Sequence, residues 1–148
     1  MGAVEATAYL QLGSYKPAAI LAFCGMCQYD AWQVWQQEDL AHGWLSDWWG
    51  SVWTFPEWQE SDYTGEKYKA ILSMDISENL DRYADVPILC CVGTADKFFN
   101  ASNIEYVVGL IRGSGNQNAK CIVYPYGTHR ITNRMVMDSM EYLSRVLA

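Results

Sequence analysis

Positive charge is scarce in this chain. Ten lysines and arginines stand against seventeen aspartates and glutamates in 148 residues, a formal net charge of -7. A surface of that sign repels phosphate backbones and excludes nucleic acid as a natural partner. Long apolar runs are also missing. None approaches the ~20 residues that cross a bilayer, so no membrane span is expected. The first ten residues lack a basic start and carry Glu5, so they do not read as a signal peptide. No G-x-G-x-x-G or G-x-x-x-x-G-K-[ST] follows any apolar run, which argues against a nucleotide site, and no cofactor is expected. Cys24-Gly-Met-Cys27 is formally C-x-x-C, but no second ligand pair stands at metal spacing, so no metal is expected either. Histidine is limited to His42 and His129.

What is present is a globular composition: 51% hydrophobic and 18% charged. That supports a single compact domain over residues 1–148. The five cysteines are an odd number. Cys90 and Cys91 are adjacent and point to opposite faces of a strand. Cys24 and Cys121 lie in apolar runs. These read as small buried thiols in a reducing, cytoplasmic compartment.

Residues 2–12 have helical spacing, with Ala3, Ala6 and Leu10 on one face and Gly13-Ser14 ending the element. Pro17-Ala-Ala-Ile-Leu-Ala-Phe-Cys24 is a continuous apolar run, suited to a strand covered on both faces. Val86–Val92 and Lys120–Tyr124 are two more. Ile104, Val107, Val108 and Ile111 mark a helix between them, closed by Gly113-Ser-Gly115. Met135, Val136, Ser139, Met140, Leu143, Val146 and Leu147 mark a final amphipathic helix. The order is helix, strand, long insert, strand, helix, strand, helix. It predicts α/β architecture, parallel strands with flanking helices.

The insert spans about residues 25–85 and holds all seven tryptophans, among them Trp48, Trp49, Trp53 and Trp58. A connection this long is either a functional lid or carries structure of its own. The tryptophans form an aromatic core that fixes the insert, a substrate-facing wall, or both. Gly65–Leu72 is expected to return as a short helix.

Two positions carry chemistry. Asp96 closes the turn after the second strand and His129 the loop after the third. In an open parallel sheet, ligands bind beyond the carboxyl ends of the strands. Neighbouring strands lie ~4.8 Å apart, so the two side chains would share one rim. A carboxylate beside an imidazole fixes its tautomer and stabilises the imidazolium formed when it takes a proton. A lone Asp after a strand is more often a turn or cap residue, and a lone His in a loop is usually a plain polar loop residue. Their acid-then-base order, one after each of two strands, is the informative feature.

Val86-Pro-Ile-Leu-Cys-Cys-Val-Gly-Thr-Ala-Asp96 resembles the penultimate strand and acid turn of α/β-hydrolases. Tyr124-Pro-Tyr-Gly-Thr-His129 resembles their last strand and histidine loop. Met1-Gly2-Ala3 looks like the tail of the G-x-S-x-G nucleophile elbow. The finer likeness is to the prolyl-oligopeptidase and esterase branches. One departure is Lys97-Phe-Phe-Asn100 after the acid, where the family often has proline.

The resemblance implies a partial α/β-hydrolase fold with a Trp-rich helical lid. It implies a Ser-His-Asp triad in which Asp96 is the acid and His129 the base. The nucleophilic serine would immediately precede Met1, whose backbone N–H would serve the oxyanion hole. Trp48, Trp49, Trp53 and Trp58 would face a small-molecule ester or peptide substrate. On this expectation the chain is a truncated serine hydrolase, a gene start placed too late being preferred. A split-protein half or a non-catalytic binding homologue are the alternatives. The cut strand at 17–24 would leave an open sheet edge for a homodimer or partner chain to cover.

Overall fold

The computed structural model describes residues 2–25 and 76–148. Helix α1 (Gly2–Leu12) leads into strand β1 (Ile20–Phe23). Two 3-10 turns (Ile76–Glu78 and Leu80–Tyr83) precede β2 (Ile88–Gly93). Then follow α2 (Ala101–Gly113), β3 (Ala119–Tyr124) and α3 (Asn133–Val146). The strands form one parallel sheet in the order β1-β2-β3. The protein is thus α/β, with helices packed on a parallel sheet.

β2 is the hub because both of its faces are covered. All six of its residues are buried. Ile88, Cys90 and Val92 pack with Ile20, Ala22, Val107, Val108 and Ile111 in the larger core, against which Ala3, Ala6 and Leu10 of α1 also rest. Leu89 and Cys91 point the other way, to Met135 and Tyr142 of α3. The adjacent cysteines therefore serve opposite cores, as the period of a strand requires. Each such aliphatic side chain contributes about 1.5–3 kcal/mol by burial.

β1 begins three residues later than the apolar run suggests. Ile20 is the first residue in register, opposite Ile88, and its N–H donates to Pro87 O at 2.8 Å. Pro17 has no N–H to extend that ladder. β1 is also less covered than expected, since Leu21 and Phe23 are only half-buried.

α3 differs from its sequence reading in a similar way. Met135, Ser139 and Tyr142 are buried and Leu143 and Val146 pack beside them. Val136, Met140 and Leu147 are exposed. The buried stripe follows one helical face, and Tyr142 joins it because its hydroxyl donates to Asn118 O. Hydropathy alone cannot choose between two apolar stripes on one helix.

Side chains cap the amino ends of α2 and α3. Asn100 Oδ1 accepts from Ser102 N at 2.9 Å and Thr132 Oγ1 from Met135 N at 3.3 Å. Gly115, at φ +119°, ends the excursion after α2 in a conformation open to glycine. At the amino end of β3, buried Asn116 donates to Tyr83 O (2.6 Å) and Val86 O (2.7 Å) and accepts from Asn118 N (2.9 Å). One side chain thus joins the second 3-10 turn, β2 and β3.

Among the described residues no helix is long and apolar enough to cross a membrane. Met1, Cys27, His42, the expected helix at 65–72 and Trp48, Trp49, Trp53 and Trp58 lie outside the described residues.

Candidate active site

Parallel pairing places every strand's carboxyl end on one rim, and the polar residues gather there. Gly93 is the last residue of β2, opposite Tyr124 at the end of β3. The two loops that follow are laced together. Thr94 N donates to Tyr124 O at 3.0 Å, Ala95 N to Gly127 O at 2.9 Å, and Tyr126 N to Thr94 Oγ1 at 2.8 Å.

That lacing needs glycine. A Cβ on Gly93 would lie 2.0 Å from Gly127 O and 2.2 Å from its carbonyl carbon. These are backbone atoms and cannot step aside as a side chain can. The close approach brings the acid turn and the histidine loop within hydrogen-bond reach.

His129 Nδ1 meets Asp96 Oδ2 at 2.9 Å and Oδ1 at 3.1 Å. The Asp96 side chain has no solvent exposure, whereas that of His129 is 37% exposed. A carboxylate can only accept, so facing it the imidazole carries its proton on Nδ1. Asp96 Oδ1 also accepts from Phe98 N (2.8 Å) and Phe99 N (3.1 Å). The aspartate is therefore a turn residue and an imidazole partner at once. Oδ1 holds the loop, and both oxygens face the imidazole, Oδ2 the nearer.

The sequence Lys97-Phe-Phe-Asn100, atypical for an acid loop, has a physical reason. Proline at 98 or 99 would delete one of the two N–H donors. The phenyl rings also bracket the imidazole. Phe98 meets it edge-on with centroids 4.6 Å apart, and Phe99 lies nearly parallel at 6.0 Å. Gly25 lets Phe99 in, since a Cβ there would stand 3.2 Å from the ring.

A third group was not singled out by the sequence. Cys24, the residue after β1, places its Sγ with a carboxylate oxygen of Asp96 and a ring nitrogen of His129, all within 4.8 Å of one another. Burial, then the neighbouring Asp96 charge, pushes its thiol up to about 11. The available signal was positional: Cys24 ends the first apolar run as Asp96 and His129 follow the other two.

Cys24 (φ 55°) and Tyr126 (φ 60°) are the described non-glycine residues in the left-handed region. Both stand on this rim. Such backbone costs of order 1–3 kcal/mol and gathers at functional sites.

A groove of about 660 Å³ lies elsewhere, beside β3, lined by residues that include Lys120, Arg134, Asp138, Glu141 and Arg145. Two of its three arginines pair with carboxylates one turn away, Arg134 with Asp138 and Arg145 with Glu141, while Arg112 donates to Ala119 O. Asp96 and His129 do not line it.

No protein-family model matches the chain, and no curated protein matches it. Among solved structures it is similar to the crystal structure of TT1662 from Thermus thermophilus, at 17% identity and a TM-score of 0.66. The match covers 98% of this chain and 50% of TT1662, so the chain spans about half the length of that protein. At that identity the likeness shows a shared fold.

Proposed function

We propose that Asp96 and His129 are the acid and base of an α/β-hydrolase-type serine hydrolase that cleaves an ester or peptide bond. The carrying observation is the 2.9 Å contact from a half-exposed imidazole to a carboxylate closed off from solvent. Asp96 holds Nδ1–H; Nε2 is then the nitrogen that exchanges a proton. The hydroxyl it serves is contributed from outside residues 1–148. It attacks the carbonyl as Nε2 takes its proton, and the imidazolium returns that proton to the leaving group. The α/β fold shared with TT1662 is consistent with this reading, and the matched half leaves room for a nucleophile on the other half. The four described cysteines, three of them buried, suit a reducing, cytoplasmic compartment. The tryptophans of the insert remain candidates for the substrate wall.

A fluorophosphonate probe tests the proposal on the chain extended by its upstream coding sequence. A serine should be labelled. His129→Ala should abolish labelling, and Asp96→Asn should slow it by about 10⁴-fold, the scale of a misplaced tautomer. Labelling that survives His129→Ala ends the assignment.

The second reading is a partner-dependent or non-catalytic domain. Among the described residues, the outer edge of β1 has no neighbouring strand. A second copy or a separate chain would cover it. Sedimentation of the 148-residue chain as a folded monomer removes that reading's main support.

A further inference from the structure

The same rim carries a group that the hydrolytic reading does not use. Cys24, Asp96 and His129 come from the ends of three neighbouring strands, and one donor atom of each lies within 4.8 Å of the other two. The donors are a sulfur, a carboxylate oxygen and an imidazole nitrogen. We infer that Cys24, Asp96 and His129 form a site for a borderline divalent transition ion of the zinc class. The inference uses only the placement of these side chains and stands whether or not the pair serves a nucleophile.

Donor chemistry selects the ion. Calcium and magnesium require six or more oxygen ligands, whereas mixed sulfur, nitrogen and oxygen donors suit zinc. Zinc bonds of about 2.3 Å to sulfur and 2.0–2.2 Å to nitrogen and oxygen set tetrahedral donor separations of roughly 3.3–3.6 Å. The present donors lie within 4.8 Å, with Nδ1 and Oδ2 at 2.9 Å. Sulfur moves inward by up to roughly 1.2–1.5 Å and the imidazole and carboxylate part by a few tenths. Water takes the fourth position on the exposed side of His129.

Charge balances as well. Thiolate and carboxylate give two negative charges, matched by a dication in a site where Asp96 is shielded and Cys24 is only 5% exposed. Loading releases the Cys24 thiol proton to solvent. The Nδ1 proton relocates through solvent to Nε2, so one proton is released per ion when His129 starts neutral. With Nδ1 on the metal and Nε2 protonated, the imidazole cannot act as a base. Ion binding and the acid–base pair are therefore mutually exclusive states of one rim.

The experiment is cobalt(II) titration of the full 148-residue chain under reducing conditions, followed by zinc. One equivalent should give near-ultraviolet sulfur-to-cobalt charge transfer with the visible bands of four-coordinate cobalt, and zinc should remove both. Cys24→Ser, close in shape, should lose the charge-transfer band. His129→Gln, at a half-exposed position, should weaken binding by more than the roughly tenfold that losing even an outer partner costs. No charge-transfer band, its persistence in Cys24→Ser, or unchanged affinity in His129→Gln overturns the site. Imidazole NMR keeps this separate from the hydrolytic reading. Zinc should move the His129 proton from Nδ1 to Nε2, whereas a failed metal site leaves the Nδ1–H form intact.

Discussion

Asp96 and Asn116 are both buried polar residues in turns, at opposite ends of the same sheet, and they do different things. Asn116 directs its amide at the main chain, donating to Tyr83 O and Val86 O and accepting from Asn118 N. It is a structural tie. Asp96 gives only part of its accepting capacity to the main chain, at Phe98 N and Phe99 N. The rest goes to an imidazole that reaches solvent. Burial of a satisfied polar group makes a fold. Burial of a charge-bearing group whose partner is exposed marks a candidate site.

Gly93→Ala should break the comparison most severely, because it pushes the acid turn away from the histidine loop. The collision is with backbone, so a loss of about 3 kcal/mol or more is expected in urea denaturation. The His129 imidazole signals should change with it. Asn116→Ala comes next. It leaves two carbonyls and an N–H without this partner, and stability should fall by about 2–4 kcal/mol. The His129 signals should stay put, since the tie is at the far end. Asp96→Asn should cost about 1 kcal/mol of stability, because its Oδ1 still accepts from Phe98 N and Phe99 N. It should nonetheless disturb the imidazole tautomer, reversing the pattern of Asn116→Ala.

Alkaline pH offers a gentler probe of the rim. Burial holds the Cys24 thiol near 11 and the Cys121 thiol near 12, above an ordinary 9.0. A proton bound more tightly in the folded state stabilises it fully below the unfolded value. That contribution is lost as pH rises from about 9 toward the folded values. Melting temperature should decline over this range, and less steeply in Cys24→Ala. A slope identical in the variant would remove Cys24 from the account. The smallest effect is expected at Tyr126, whose left-handed backbone is strained but whose side chain is 90% exposed. Tyr126→Gly relieves strain and adds chain entropy to the unfolded state, so stability should shift by less than about 1 kcal/mol.

Much of this arrangement was legible in the residues. Three apolar runs, each near a helical pattern, gave the parallel sheet and its helices. Asp96 and His129 stood out because each follows a separate strand, and parallel pairing then brings them to one rim. Other features depend on three-dimensional context. Cys24 has the composition of a core thiol; its position at the end of the first apolar run was the one hint, and its register beside β2 shows that it closes the same rim. Phe98 and Phe99 looked like a departure from a familiar loop, because a sequence pattern does not display backbone donors. The outward turn of Val136, Met140 and Leu147 was hidden because α3 carries two apolar stripes. Which of them packs is decided by the facing strands, not by the helix.

The tautomer of His129 tests the Asp96–His129 pairing most directly. Long-range proton–nitrogen NMR on the 148-residue chain at alkaline pH, with His129→Gln separating its signals from those of His42, reads which ring nitrogen bears hydrogen. Protonated Nδ1 with bare Nε2 is the expected result. A neutral ring protonated at Nε2 in the unaltered chain would contradict it.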